Sequence, residues 1–159
     1  MLISKTIHAA INDQICHELA NSNQYVSIAA YFEGEGLFGL AKIYFKQAEE
    51  ERDHAMKFVK FLLDAGATVS LKEVAAPRNE FRSAEDAAQL ALDSEKRTTD
   101  QIYSLVTLAT EEKNYIALNF LQWFVNEQLE EVSSAETRLS VIKRAGPSVL
   151  MVEAYLAHQ

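Results

Sequence analysis

The chain has 159 residues, the size of one domain, and 48% of them are apolar, enough for a core. Five glycines and two prolines are too few for an all-β fold, which needs a turn every 8–12 residues or so. The formal charge of −8 argues against a nucleic-acid backbone as partner. It leaves two readings open, solubility or attraction of cations. The single cysteine, Cys16, rules out an intrachain disulfide and any Cys-pair site for zinc or iron–sulfur, and fits a reducing compartment. Met1 to His8 lacks the apolar stretch of a signal peptide. The apolar runs fall far short of the ~20 residues of a membrane span. The expectation is a cytoplasmic protein that binds neither nucleic acid nor membrane.

Helical periodicity predicts four long helices and a short one. The first spans about Ser4 to Glu33 and is broken by Gly34 and Gly36. The second spans about Leu37 to Ala65, with Gly66 where a left-handed C-terminal cap belongs. The link from Ala67 to Arg82 is long, carries Pro77, and offers Val69, Leu71 and Val74 as apolar anchors. The third helix opens at Ser83, with Asp86 three residues on in the manner of a capping box, and ends near Glu111. The fourth spans about Asn114 to Ala145 and stops at Gly146-Pro147. Pro147 suits the opening of a fifth helix that ends near Ala157.

Links one–two and three–four are short, so those pairs form antiparallel hairpins. A helix of about 28 residues is about 42 Å long, and about sixteen extended residues reach about 53 Å. The long link can therefore cross the bundle and start helix three at the end where helix two starts. The fold class is all-α: residues 1–159 form one domain, a four-helix bundle over about 4–145 with one long crossover between helices two and three, plus the short helix over about 147–157.

Each long helix has a core-facing stripe of positions spaced alternately four and three. The stripes read Ile11, Ile15, Glu18, Ser22, Tyr25, Ala29, Phe32; then Leu40, Tyr44, Gln47, Glu51, His54, Phe58, Phe61, Ala65; then Ala84, Ala88, Ala91, Glu95, Thr98, Ile102, Leu105, Ala109; then Ala117, Leu121, Phe124, Gln128, Glu131, Ala135, Arg138, Ile142. They are mostly apolar or small, and each carries an acidic residue near its middle. Antiparallel helices of similar length bring their midpoints to one level, so Glu18, Glu51, Glu95, Glu131 and His54 converge inside the bundle. An unpaired buried charge costs several kcal/mol, and no Lys or Arg lies on the central part of the stripes. The carboxylates must be protonated, paired with a cation, or bound to metal. Four carboxylates balance two divalent ions, and oxygen-rich ligands with one imidazole suit Fe(II) or Mn(II). The i, i+3 spacing of Glu51 and His54 puts both on one face, as in bundle di-metal sites.

With these residues in view, the chain resembles the bacterial and archaeal non-haem ferritins over essentially its whole length. The resemblance rests on Glu18 with Tyr25, on Glu49-Glu50-Glu51-Arg52-Asp53-His54, on Glu95, and on Trp123 through Glu131. It implies a ferritin-like fold and a ferroxidase centre. Glu18 and His54 would hold one iron, Glu95 and Glu131 the other, and Glu51 would bridge them. Gln128 would sit beside the second iron as a hydrogen-bond partner for oxygen species, and Tyr25 would act from just outside the ligands. The family often carries a third iron site, whose ligands Glu50, Glu127, Glu130 and Glu131 match. Read from the residues alone, Glu127 and Glu130 lie one position off the stripe and serve equally as an exposed acidic face. The resemblance further implies oxidation of Fe(II) to Fe(III) by O2 or H2O2 and storage of ferric mineral in a hollow 24-subunit homo-oligomer. The apolar fifth helix has a natural use in subunit packing, or else folds over one end of its own bundle.

The sequence departs from bacterioferritin. Gln128 and Glu131 replace that relative's second Glu-x-x-His, and Arg52 stands where its haem-binding methionine would be, so no haem is expected. One cysteine leaves out the Cys-rich iron site of rubrerythrins. Trp123 reads as a core aromatic with its polar end hydrogen-bonded, Cys16 as a buried inert thiol, and His8, His17 and His158 as surface or interface residues. Two other functional classes stay open at this point: a di-iron or di-manganese oxidase acting on a small organic substrate, and a metal-free helical interaction module.

Overall fold

The computed structural model describes all 159 residues as five α-helices. These are α1 (Lys5–Gly34), α2 (Phe38–Asp64), α3 (Ala84–Glu111), α4 (Tyr115–Ala145) and α5 (Leu150–Ala157). Three of the long helices begin on side-chain caps: Ser4, Ser83 and Asn114 accept from the backbone N–H of Ile7, Asp86 and Ala117 at 3.1, 3.1 and 3.0 Å. Three end the same way. After α1, α2 and α3 the chain turns through a left-handed residue, Gly36, Gly66 and Lys113. The following N–H then reaches back to the carbonyl of Phe32, Leu62 or Ala109 at 2.8–2.9 Å. Lys113, with φ of 53°, fills a role that glycine fills without strain.

The hairpins α1–α2 and α3–α4 pack with α1 against α3. The link between α2 and α3 climbs along α1. Asn12 accepts from Ser70 N–H, Lys72 N–H points at Cys16 Sγ, and Gln24 accepts from Arg78 N–H, at 2.8, 3.4 and 2.8 Å. The crossover thus starts α3 at the end where α2 starts. Its anchors differ from the apolar ones expected. Val69 and Val74 are partly buried but Leu71 is 63% exposed, because polar bonds to α1 carry the segment. Cys16 is buried, while His17 and His158 are exposed and His8 lies 2.6 Å from the Thr68 carbonyl.

Two corrections concern the C-terminal end. Pro147 does not open α5. It sits in the turn after Gly146, followed by short i→i+3 bonds from Met151 and Val152, and α5 starts at Leu150. On α4 the stripe leaves Arg138 half-buried and puts Leu139 in the core, because the slot after Ala135 can be filled from either neighbour and the apolar one takes it. The other stripe residues are buried, apart from a half-buried Ser22. The fifth helix lies over one end of its own bundle. Val152 joins the core there, and the Glu153 carboxylate accepts from Gly39 and Leu40 N–H at 2.7 and 3.0 Å. Those are first-turn donors of α2, whose own cap position, Leu37, has no side-chain acceptor. Leu150 and Met151 on α5 remain 73% and 67% exposed.

The core divides into two apolar clusters. One contains Ile28, Phe32, Leu40 and Ala88, the other Ile11, Phe58, Ile102 and Leu121. A polar layer separates them, built from the middles of α1–α4.

Candidate metal centre

Glu18 (α1), Glu51 and His54 (α2), Glu95 (α3), and Gln128 and Glu131 (α4) meet in this layer, none more than 8% exposed. Their ligand atoms form two triads, Glu18–Glu51–His54 and Glu51–Glu95–Glu131, each with its atoms within 4.8 Å of one another. Glu51 belongs to both. His54 Nδ1 lies 3.4 Å from Glu51 and 3.9 Å from Glu18. A third group, His54–Glu127–Glu131, overlaps these at the edge of the layer. Glu50 and Glu130 join none of the triads. With Glu127 and Glu131 they line a cavity of about 350 Å³ that opens beside the layer.

The neighbours of the carboxylates are amides and hydroxyls. The Gln14 amide donates to Glu18 at 2.9 Å and to the Gln101 side-chain Oε1 at 3.3 Å. The Gln47 amide donates to Glu51 at 2.9 Å and to Glu131 at 2.7 Å, tying α2 to α4. Gln128 donates to Glu95 at 3.2 Å and to Thr99 at 3.1 Å, and Tyr25 donates its hydroxyl to Glu95 at 2.5 Å. Neutral donors satisfy individual oxygens while leaving the carboxylate charge uncompensated. No Lys or Arg pairs with any of the four.

The electrostatic consequence is strain. Burial, with the neighbouring carboxylates, raises the pKa of Glu18 and Glu51 well above the ordinary range. Glu131 is pushed up to about 8, by burial first and the Glu95 charge second. Burial and Glu95 raise that of Tyr25 as well, so its hydroxyl stays a donor. One buried side-chain atom in the chain has no hydrogen-bond partner, and it is Glu18 Oε2, on the His54 side of the first triad. An orphaned carboxylate oxygen beside an imidazole nitrogen and a second carboxylate is what a divalent cation would complete.

Trp123 departs from the expectation of a core aromatic. Phe124 takes the core slot, and Trp123, next in the helix and turned away from it, is 40% exposed. Its ring lies edge-on to His54, 5.5 Å between centroids, and under the Lys57 ammonium at 4.2 Å.

Comparison with known proteins agrees with this architecture. The sequence model of the ferritin-like domain matches residues 8–145. The chain belongs to the ferritin family. Ferritin BfrB of Mycolicibacterium smegmatis is 40% identical over 152 residues, covering 96% of this chain and 84% of that one. The bacterial non-heme ferritin of Staphylococcus aureus strain USA300 is 35% identical over 145 residues, covering 91% and 87%. Among solved structures, an open pore ferritin from the hyperthermophilic archaeon Archaeoglobus fulgidus superposes with a TM-score of 0.94 at 34% identity, over 99% of this chain and 98% of that one. The all-α ferritin fold expected from the sequence is thus the one observed, and iron storage is the family's function. No helix is long and apolar enough to cross a membrane.

Sequence reasoning singled out Gln128 but missed the part that Gln14 and Gln47 play beside the carboxylates. Gln14 and Gln47 each stand four residues before a glutamate of the layer, a spacing at which glutamine reaches a carboxylate on the next turn. That signal was present. The link from Gln47 across to Glu131 had no local signal.

Proposed function

We propose that the polar layer is a two-iron ferroxidase centre, with Fe(II) and O2 or H2O2 as its substrates. In this reading Glu18 and His54 hold one Fe(II), Glu95 and Glu131 hold the other, and Glu51 bridges. The observation that carries it is the sharing of Glu51 by two ligand triads. Each Fe(II) gives up one electron to the oxidant and becomes Fe(III). The carboxylate set favours the product, because a harder, more charged cation gains more from oxygen anions, which lowers the reduction potential.

The chain's own groups prepare the site for that exchange. Gln14 and Gln47 each hold one oxygen of their carboxylate and leave the other to a cation. Tyr25 and Gln128 fix Glu95. Protons held by the layer leave as cations enter, so uptake of Fe(II) releases protons. The neighbouring cavity, bordered by Glu50, Glu127, Glu130 and Glu131 with Ile43 as its one apolar side chain, suits a cation better than an organic substrate. We assign it as the third iron site and the way out for ferric product. The product collects as mineral in the interior of a 24-subunit cytoplasmic shell, whose assembly uses the exposed apolar side of α5. No haem takes part in this reading.

Stopped-flow oxidation tests the assignment. Metal-free protein mixed with Fe(II) and O2 should oxidise two Fe(II) per chain in a fast phase, and Glu51→Ala should lose that phase. A fast phase of unchanged amplitude in the variant would contradict the assigned centre.

A further inference from the structure

The acidic cavity beside Glu131 has a wall that the proposed reaction does not use. Arg138 lines it, and Arg138 also lines a separate cavity of about 260 Å³ where α5 faces α4. The guanidinium thus stands on the partition between the two. It is half-buried, its central carbon lies 5.3 Å from the centroid of the Tyr44 ring, and none of the chain's ion pairs includes it. This is an unusual state for an arginine that borders the same cavity as Glu50, Glu127, Glu130 and Glu131. The guanidinium lies over the Tyr44 ring, and its charge acts on the Tyr44 hydroxyl rather than pairing with a glutamate. Ser134 lines both cavities, and Thr137 lines the second. A guanidinium outside every ion pair therefore shares these cavity walls with two hydroxyl side chains.

Charge decides what such a group binds. Glu50, Glu127 and Glu130 outnumber Lys46 and Arg138 around the acidic cavity even while Glu131, pushed up to about 8, keeps its proton, so an anion arriving alone meets a negative field. A multivalent cation held by those carboxylates reverses the balance. An oxyanion placed between that cation and the guanidinium gains from both.

We propose that Arg138, with Ser134 and Thr137, is the anion half of a mixed cation–oxyanion site. It binds a small oxyanion, phosphate or carboxylate, together with a cation held by the glutamates of the acidic cavity. The inference rests on the proposed function in one respect, that the natural cation is iron leaving the centre. An anion bound here gives ferric product a counter-ion as it leaves.

Calorimetric titration of the full-length protein tests this with the redox-silent ion Zn²⁺ in place of iron. Inorganic phosphate and, separately, acetate are titrated into metal-free and Zn²⁺-loaded protein, for the natural chain, Arg138→Leu and Arg138→Lys. At least one anion should bind the loaded protein about tenfold more tightly than the metal-free protein. Arg138→Leu should lose this gain, and Arg138→Lys should keep part of it as a point charge without the fork. Phosphate alone binding identifies an inorganic counter-ion; acetate alone identifies the carboxylate of a small organic acid. Zn²⁺ binding with no anion uptake, or anion uptake unchanged in Arg138→Leu, overturns the anion site and leaves the metal centre standing. Failure of Zn²⁺ itself to bind overturns both.

Discussion

At the two ends of the bundle, α1–α4 bury side chains such as Phe32 and Leu40, or Ile15 and Phe58; between them the same helices bury Glu18, Glu51, Glu95 and Glu131 around His54. Burial is equally deep in both regions, and the chemistry is opposite. In the end clusters, removing apolar surface from water stabilises the fold directly. In the middle layer, desolvation raises carboxyl pKa values and leaves Glu18 Oε2 without a partner. The ends supply the stability that lets the middle be held in an unfavourable state. In the proposed reading, a cation entering the middle would relieve that state.

Substitutions of opposite sign break this comparison most sharply. Glu51→Ala removes the residue common to both triads and should abolish high-affinity divalent metal binding, measured by anaerobic titration. In the metal-free chain the near-isosteric Glu51→Gln should raise stability at neutral pH, because burial makes the acid take up a proton on folding and the amide needs none. Thermal unfolding in chelator measures it. In an end cluster the result inverts. Leu121→Ala, at a position 1% exposed, should lower stability by about 2–5 kcal/mol in urea unfolding and leave metal stoichiometry unchanged.

The amides around the layer give an intermediate effect. Gln47→Leu removes the donor shared by Glu51 and Glu131, and should weaken divalent metal binding about 10–100-fold with little loss of helix content. Calorimetry with Zn²⁺ reads this directly. An unchanged affinity would mean the amide supports packing alone.

The pH dependence follows from the raised carboxyls. In the unfolded chain they lose their protons near pH 4.3 or so, whereas folded Glu131 keeps its proton up to about 8. Between those values the folded state binds more protons than the unfolded state, so stability of the metal-free protein falls as pH rises through the window. A divalent ion displaces the protons, so its stabilising effect should grow over the same range. Melting curves in chelator and in Zn²⁺ between about pH 5 and 8 check both slopes. The smallest expected effect lies outside both regions. Lys113→Gly relieves a left-handed backbone at the end of α3 and should stabilise by about 0.5–1 kcal/mol.

Legibility from sequence follows the same division. Periodicity placed the stripes of α2 and α3 residue by residue, because apolar spacing and helix geometry are local properties. Equal helix lengths were enough to bring the mid-helix acids to one level. What escaped was long-range or a choice between adjacent residues. Glu153 caps α2 across more than a hundred positions, and no pattern within either helix announces it. The slip from Arg138 to Leu139 is a contest between neighbours that packing decides, and Trp123, expected in the core along with the stripe residue Phe124, is left 40% exposed beside it. Leu71 was expected as an anchor for its apolarity, but α1 presents Asn12, Gln24 and Ser27 to the crossover and holds its backbone instead.

The central claim is that the buried acids of four helices exist to hold two iron ions with Glu51 between them. Anomalous diffraction at the iron edge, from crystals soaked anaerobically in ferrous salt, tests it most directly. The account predicts two peaks per chain inside the bundle, one beside Glu18 and His54, the other beside Glu95 and Glu131, with Glu51 reaching both. Peaks confined to the surface glutamates, with the layer free of metal, would contradict it.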